Sequence, residues 1–401
     1  MNEHFDIPGP EAFAEELNNE LTSILDWWIG QLWDPATHSW YGRISGEGVL
    51  DRSHPRSIIL YTRLLWTYAA AARKTNQVVY KDVADHTFRY LEEHFWDREY
   101  GGLYWMLDAL GNPLDSKKQI YAQAFGIYAY SEYHLLTGSA PALSQANELF
   151  KLIEKHSFDK SLNGYFEAFD REWRLLQDMR LSSKDANEAK TMNTHLHILE
   201  AYTLYARVNP DQELMERLKN LIQLFTDHFI DPETHHLILF FDANWNRKGG
   251  TISYGHDIEA SWLLTEACET AGDPDMVAGM HQIALHMVEA VIKEGLAPQG
   301  GIWYEKHGDT VDRERHWWPQ IEAVVGLINA WQIIHNPYYY LLAYRIWEYI
   351  KENLIDKNHG EWFWSVLDDG TPNIRDDKAG PWKANYHNGR GCMEVAARLM
   401  T

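Results

Sequence analysis

WDREYGGLYWML, from Trp96 to Leu107, sets an acidic residue at the start of a turn, adds a Gly-Gly pair, and ends in aromatic and apolar residues. The pattern recurs along the chain. It reads WDPATHSWYGRI from Trp33, FDKSLNGYFEAF from Phe158, IDPETHHLILFF from Ile230 and IDKNHGEWFWSV from Ile355. A looser copy without the acidic residue, GLAPQGGIWYEK, starts at Gly295 and fills the one long gap, which makes six copies. Self-similarity at a fixed period is the signature of a repeat-built fold.

Each interval between copies has room for two helices. Apolar residues at 3.6-residue spacing mark segments near 11–31, 58–76, 78–95, 118–137, 141–157 and 193–208. They continue near 211–229, 255–273, 275–294, 316–336, 337–354 and 386–400. Stop signals such as Thr137-Gly138, Asn209-Pro210 and Gly272-Asp273-Pro274 separate them. The short aromatic stretches Gly102 to Met106, His236 to Phe241, Gly301 to Glu305 and Trp362 to Val366 read as β-hairpin arms. Six helix pairs closing as two concentric rings give an all-α (α/α)6 barrel, with residues 1–401 as one catalytic domain. Closure also removes the exposed end repeats that an open solenoid must cap.

The odd-numbered segments from the third to the eleventh, such as KDVADHTFRYLEEHF, carry a charged face and suit an outer ring. The even-numbered segments are apolar nearly all round, yet polar residues occupy their first turns. These are Arg63, Tyr121, Asn193 with His197, His256 with Glu259, Trp318 with Glu322, and Tyr386 with His387. Polar groups at the same end of every inner helix converge on one mouth of a barrel. Asn193 and His197 share a face at i,i+4, whereas His195 points elsewhere. His256 and Glu259 stand at i,i+3, a spacing at which the carboxylate can orient the ring. Trp318 and Glu322 pair an aromatic platform with an acceptor.

With 36 Lys+Arg against 58 Asp+Glu the net charge is −22, which argues against nucleic-acid and anionic-membrane partners. Eighteen Trp, 22 Tyr and 14 Phe suit a large core, a sugar-binding cleft, or both. Cys268 and Cys392 are too few and too far apart to suggest a disulfide framework. The start MNEHFDIPGP has neither a basic region nor an apolar stretch of export-signal type, so a cytoplasmic protein is expected. No Cys or tight carboxylate cluster completes a metal set around the His residues, and no glycine-rich phosphate loop is present. No metal or cofactor is therefore expected. A neutral small molecule is the expected partner, bound by a monomer or weak homo-oligomer.

At MNTHLHILEAY, GHDIEASWLL, RHWWPQIEA and YHNGRGCMEV the chain resembles the N-acylglucosamine 2-epimerase superfamily, most closely its cellobiose 2-epimerase branch. The resemblance covers essentially the whole chain and implies an (α/α)6 barrel. It also implies cofactor-independent epimerisation at C2 of a reducing-end aldose, glucose unit to mannose unit, on β-1,4 disaccharides or free monosaccharides. By the same resemblance His256 and His387 are the acid/base pair. His197 is a third imidazole linked to ring opening, and Arg63 steadies the oxygens on C1 and C2. Tyr121, Asp185, Asn193, Glu259, Trp318, Glu322 and Trp382 match positions lining the sugar site. One departure stands at Tyr61-Thr62-Arg63, where the branch commonly has Asn-Ala-Arg; Tyr61 is expected to alter the pocket wall or sugar preference.

The chemistry suits these residues. Epimerisation needs the hemiacetal opened and a proton removed from carbon next to a carbonyl, by a base whose pKa lies near the working pH. Two imidazoles on opposite faces account for inversion without a redox step. A guanidinium stabilises the developing enediolate, and Trp rings stack on pyranose faces. Three other readings fit in part: an aldose–ketose isomerase acting through the same enediol, an inverting glycoside hydrolase with two opposed carboxylates, and a non-catalytic carbohydrate-binding protein.

Overall fold

The computed structural model describes residues 7–182 and 185–401; the reading of the first residues as free of an export signal lies, over residues 1–6, outside them. Twelve α-helices alternate between two rings among the described residues. The outer ring holds α1 (Pro10–Leu32), α3 (Val78–Tyr90), α5 (Ala140–His156), α7 (Gln212–Leu224), α9 (Pro274–Glu294) and α11 (Pro337–Tyr349). The inner ring holds α2 (Ile58–Thr75), α4 (Ile120–Thr137), α6 (Met192–Val208), α8 (Tyr254–Ala271), α10 (Trp317–Ile334) and α12 (Tyr386–Arg398). Each inner helix packs on the next, and α12 packs on α2, so the ring closes. The loops close it as well: the N–H of Ile44 donates to the carbonyl of Ala379 at 2.8 Å, joining the first turn to the last.

The helix ends follow the sequence signals. Gly138 and Gly272 take left-handed φ of 69° and 71° at their caps, and the Asp211 and Thr191 side chains accept from the first turns of α7 and α6. Helices α3, α7 and α11 each end in one π turn, at Leu91–Phe95, Phe225–Phe229 and Ile350–Leu354, directly before a copy of the repeated turn.

The aromatic stretches enter the short β-hairpins expected of them through their last residues alone. Met106–Leu107 pairs with Pro113–Asp115, Phe240–Phe241 with Arg247–Lys248 and Glu305–His307 with Thr310–Asp312, and Met106–Leu107 also pairs with Arg56–Ser57, the strand preceding α2. The cause lies in the turn. Asp97 Oδ1 accepts from the N–H groups of Glu99 and Tyr100 at 3.1 and 3.3 Å, and Gly101 N–H returns to the Asp97 carbonyl at 2.9 Å. Gly101 and Gly102 sit at φ 72° and 74°, which breaks strand geometry. A Cβ on Gly102 would stand 2.8 Å from Trp173. Asp159, Asp231 and Asp356 repeat the carboxylate cap. Ala297 in the looser copy keeps the backbone bonds without it.

A second regularity ties turn to helix. In five inner helices the fourth residue hydrogen-bonds the backbone of the preceding turn. Gln123 accepts from Leu103 N–H at 2.8 Å and donates to its carbonyl at 3.0 Å, and Gln320 does the same for Ile302 at 2.7 and 2.8 Å. Asp257 accepts from Leu237 N–H at 2.7 Å, and His195 Nε2 from Tyr165 N–H at 2.9 Å. In α2 this residue is Tyr61, whose hydroxyl accepts from Trp40 N–H at 3.0 Å and donates to its carbonyl at 2.7 Å. Tyr61 is fully buried and stacked on Tyr90, so it is no pocket wall, which corrects the expectation from the motif. With the fourth residue held outward, the sixth lies about 200° round the helix and faces the lumen.

Candidate active site

The sixth residues are Arg63 on α2, Phe125 on α4, His197 on α6, Glu259 on α8 and Glu322 on α10. One turn earlier, on the same face, come Tyr121, Asn193 and Trp318. His256 on α8 and His387 on α12 complete the ring at the N-terminal mouth of the inner helices. That end carries the positive poles of the helix dipoles, which favour negative charge developing in the lumen.

Each of three imidazoles has Nδ1 engaged by the protein. His197 meets Glu200 Oε2 at 2.8 Å, His387 meets Glu322 Oε1 at 2.7 Å, and His256 meets Ser253 Oγ at 2.8 Å. No Nε2 of the three has a hydrogen-bond partner among the described residues. The His256 and His387 rings lie 4.8 and 5.4 Å from the Trp318 ring. Burial, with neighbouring imidazoles, pushes His256 down to about 3. Burial also pushes His387 down to about 4, against the Glu322 carboxylate. His197 shifts down for the same first reason. All three are neutral at neutral pH, as proton acceptors must be.

The i,i+3 reading of His256 with Glu259 needs correction. Glu259 turns to Arg390 Nη2, 2.6 Å away, and lies 3.9 Å from His387; Ser253 is what orients His256. Glu322 is similarly committed. Its Oε1 accepts from Arg390 at 2.6 Å and from His387, and its Oε2 accepts from Trp262 Nε1 at 3.0 Å. It therefore holds His387 rather than standing free as a hydroxyl acceptor. Arg390 also donates to Glu200 and Tyr386. Two charged residues were missed from sequence, Arg390 and Glu200. Glu200 stands at i,i+3 from His197, so the spacing that pairs a carboxylate with an imidazole operates on α6 and not on α8.

Arg63 donates to Tyr121 Oη at 2.8 Å, lies 4.7 Å from the Phe125 ring, and leaves Nε without a partner. Asn193 Oδ1 is likewise unpartnered. Trp382 flanks the mouth, 6.2 Å from the Tyr121 ring and 6.1 Å from Trp105. Asp185 sits on the loop before α6, accepts from Ser182, and acts by its charge on Tyr121 and Tyr304. Glu259, Glu322 and His387 bring ligand-type atoms within 4.8 Å of one another. Arg390 stands 2.6 Å from both carboxylates, so a cation of the chain's own fills that position. A separate cavity of about 330 Å³, lined by Trp66, Arg73, Arg207 and Glu394, opens at the far end of the barrel. Glu200 lines it from the site side.

The N-acylglucosamine 2-epimerase family pattern matches residues 40–389. The chain is 48% identical to the cellobiose 2-epimerase of Bacteroides fragilis, over 96% of this chain and 99% of that one. The structure of cellobiose 2-epimerase from Bacillus thermoamylovorans superposes with a TM-score of 0.93 at 39% identity, covering 96% and 99% of the two chains. The D-mannose isomerase of Marinomonas mediterranea is more distant, 23% identical over 88% of this chain and 89% of that one. Architecture, lumen-facing imidazoles and full-length similarity agree: the chain belongs to the N-acylglucosamine 2-epimerase family.

Proposed function

We propose that this sugar 2-epimerase interconverts glucose and mannose units at the reducing end of β-1,4 disaccharides such as cellobiose and lactose. The observation that carries the reading is the pair His256 and His387, on different inner helices beside Trp318, each with Nδ1 tied back and Nε2 left for substrate. In the proposed sequence, ring opening transfers the O1 hydroxyl proton to one neutral imidazole while the ring oxygen takes a proton from solvent through His197. The other imidazole removes the C2 proton, giving a cis-enediolate beside the Arg63 guanidinium. The first imidazole then returns its proton to the opposite face of C2. On ring closure the other imidazole, which holds the C2 proton, passes it to O1 while the ring oxygen returns its proton to solvent through His197, so the protons balance within one turnover and no redox cofactor is required. Trp318 and Trp382 supply faces for the sugar rings, while Asn193, Tyr121 and Asp185 offer polar contacts.

The inverting-hydrolase alternative finds little support, because Glu259 and Glu322 share one guanidinium and Glu322 has both oxygens engaged. An aldose–ketose isomerase differs only in protonating the enediol at C1, and the distant mannose isomerase keeps it as the second reading. In this reading the protein is a single catalytic unit, a cytoplasmic monomer or weak homo-oligomer. Its two cysteines are free and buried, and no described helix is long and apolar enough to cross a membrane. The test is product identification from cellobiose, lactose, mannose and glucose side by side. A mannose-ended disaccharide is expected; a keto-sugar would favour the isomerase, and free glucose from cellobiose the hydrolase.

A further inference from the structure

The three imidazoles are not held alike. His197 and His387 each face a glutamate directly, whereas His256 faces the hydroxyl of Ser253. Ser253 is fully buried on the strand Thr251–Ser253. In the antiparallel pairing with Glu305–His307 its partner across the ladder is Glu305. That register sets the Ser253 and Glu305 side chains next to each other on the same face of the ladder, close enough for the hydroxyl to act on the carboxyl and oppose the upward push of burial. We infer that Ser253 and Glu305 form a positioning relay for His256, with imidazole Nδ1–H donating to Ser253 Oγ and the Ser253 hydroxyl donating to the Glu305 carboxylate.

The relay fixes the tautomer. With Nδ1 protonated, Nε2 keeps its lone pair toward the sugar, as the base at C2 requires. No proton leaves along the relay. When Nε2 takes the C2 proton, the charge is stabilised by a carboxylate one hydroxyl away rather than in contact. His256 is thereby the less strongly held of the two imidazolium ions, and His387, against Glu322, the more strongly held. Facing Glu305 are Tyr304, Asp312, Asp185 and the exposed His307, whose Nε2 is 3.3 Å from the carboxylate. Facing His256 are His197, His387 and Glu322.

The inference rests on the two-base reading above, and its test separates the two. Ser253→Ala, Ser253→Thr and Glu305→Gln enzymes are assayed in both directions with substrate carrying deuterium at C2. Ser253→Ala is expected to lower kcat roughly 10- to 100-fold with KM nearly unchanged, and Ser253→Thr to restore most of it. The deuterium effect on kcat/KM is expected to rise in the direction where His256 removes the proton and to fall in the other, with Glu305→Gln giving the same asymmetry. If Ser253→Ala keeps wild-type turnover, or the isotope effects change equally in both directions, or Thr does no better than Ala, the relay is refuted. If the wild-type enzyme shows no C2 isotope effect in either direction, the two-base reading itself fails.

Discussion

Arg390 is the residue on which the buried charges converge: Glu200, Glu259 and Glu322 all accept from one guanidinium that is essentially without exposure. Replacing it with Met leaves three carboxylates facing one another in the lumen. Removing one partner of a buried ion pair typically costs about 3–5 kcal/mol. Arg390→Met is therefore expected to lose at least that much stability in urea denaturation, and to lose activity because His387 depends on Glu322. Tyr61 makes a contrasting case. Tyr61→Phe removes two hydrogen bonds to the Trp40 backbone in a buried place and should cost about 1–3 kcal/mol. It should leave the preference between cellobiose and mannose unchanged; a shift in that preference would return Tyr61 to the pocket. The imidazoles were legible in sequence because polar residues at the starts of apolar helices are conspicuous. The Arg390 hub was not, since its partners lie as far as 190 residues away and no periodicity links them.

Among the elements, the repeated turn is held at two strengths. In the second copy Asp97 meets buried Lys118 at 3.1 Å and Arg171 at 2.9 Å, which keep its carboxyl well below the usual range against the opposing effect of burial. Asp34 in the first copy has no ion pair among the described residues; it bonds Ala36 N–H and Thr37 within the turn, and Arg56 acts on it only by charge from beyond ion-pair distance. Asp97→Ala should thus cost about 3–5 kcal/mol by stranding Lys118. Asp34→Ala should cost about 0.5–2 kcal/mol, the range for losing a side-chain cap. Equal costs measured by chemical denaturation would show that the buried cations add nothing. Helix positions were readable to within a few residues because caps and periodicity are local signals. The hairpins were legible as well, but their arms are shorter than the aromatic stretches, because left-handed residues such as Gly101 and Gly102 confine pairing to the ends of each stretch.

At the level of the whole molecule, buried titratable groups give stability a pH profile. His195, His256 and His387 are held down at about 3 to 4 by burial. The unfolded chain binds more protons than the native one below about pH 6.5, so these groups make stability fall as the solution becomes acid. Glu167 is pushed up to about 8, and Glu20 and Glu305 to about 7, again chiefly by burial. There the native state binds more protons, and that contribution is lost as pH rises through those values. The two sets largely oppose each other below pH 6.5, and only the second acts above it. Melting temperature should therefore decline between about pH 6.5 and 8, and a rising Tm over that window would contradict the assignment. The −22 charge, which argued for a neutral ligand, accords with a lumen whose carboxylates Glu200, Glu259 and Glu322 are paired with Arg390 and whose free groups are the Arg63 guanidinium, imidazole, amide and indole.

The central claim is that two imidazoles carry the C2 proton, and it is tested most directly by NMR in D2O with wild type, His256→Ala and His387→Ala on cellobiose. Wild type should place solvent deuterium at C2 of the epimerised unit. Each variant should keep its circular dichroism spectrum while turnover falls by at least about 100-fold. Near wild-type turnover in either variant, or a wild-type product with no deuterium at C2, would contradict the account.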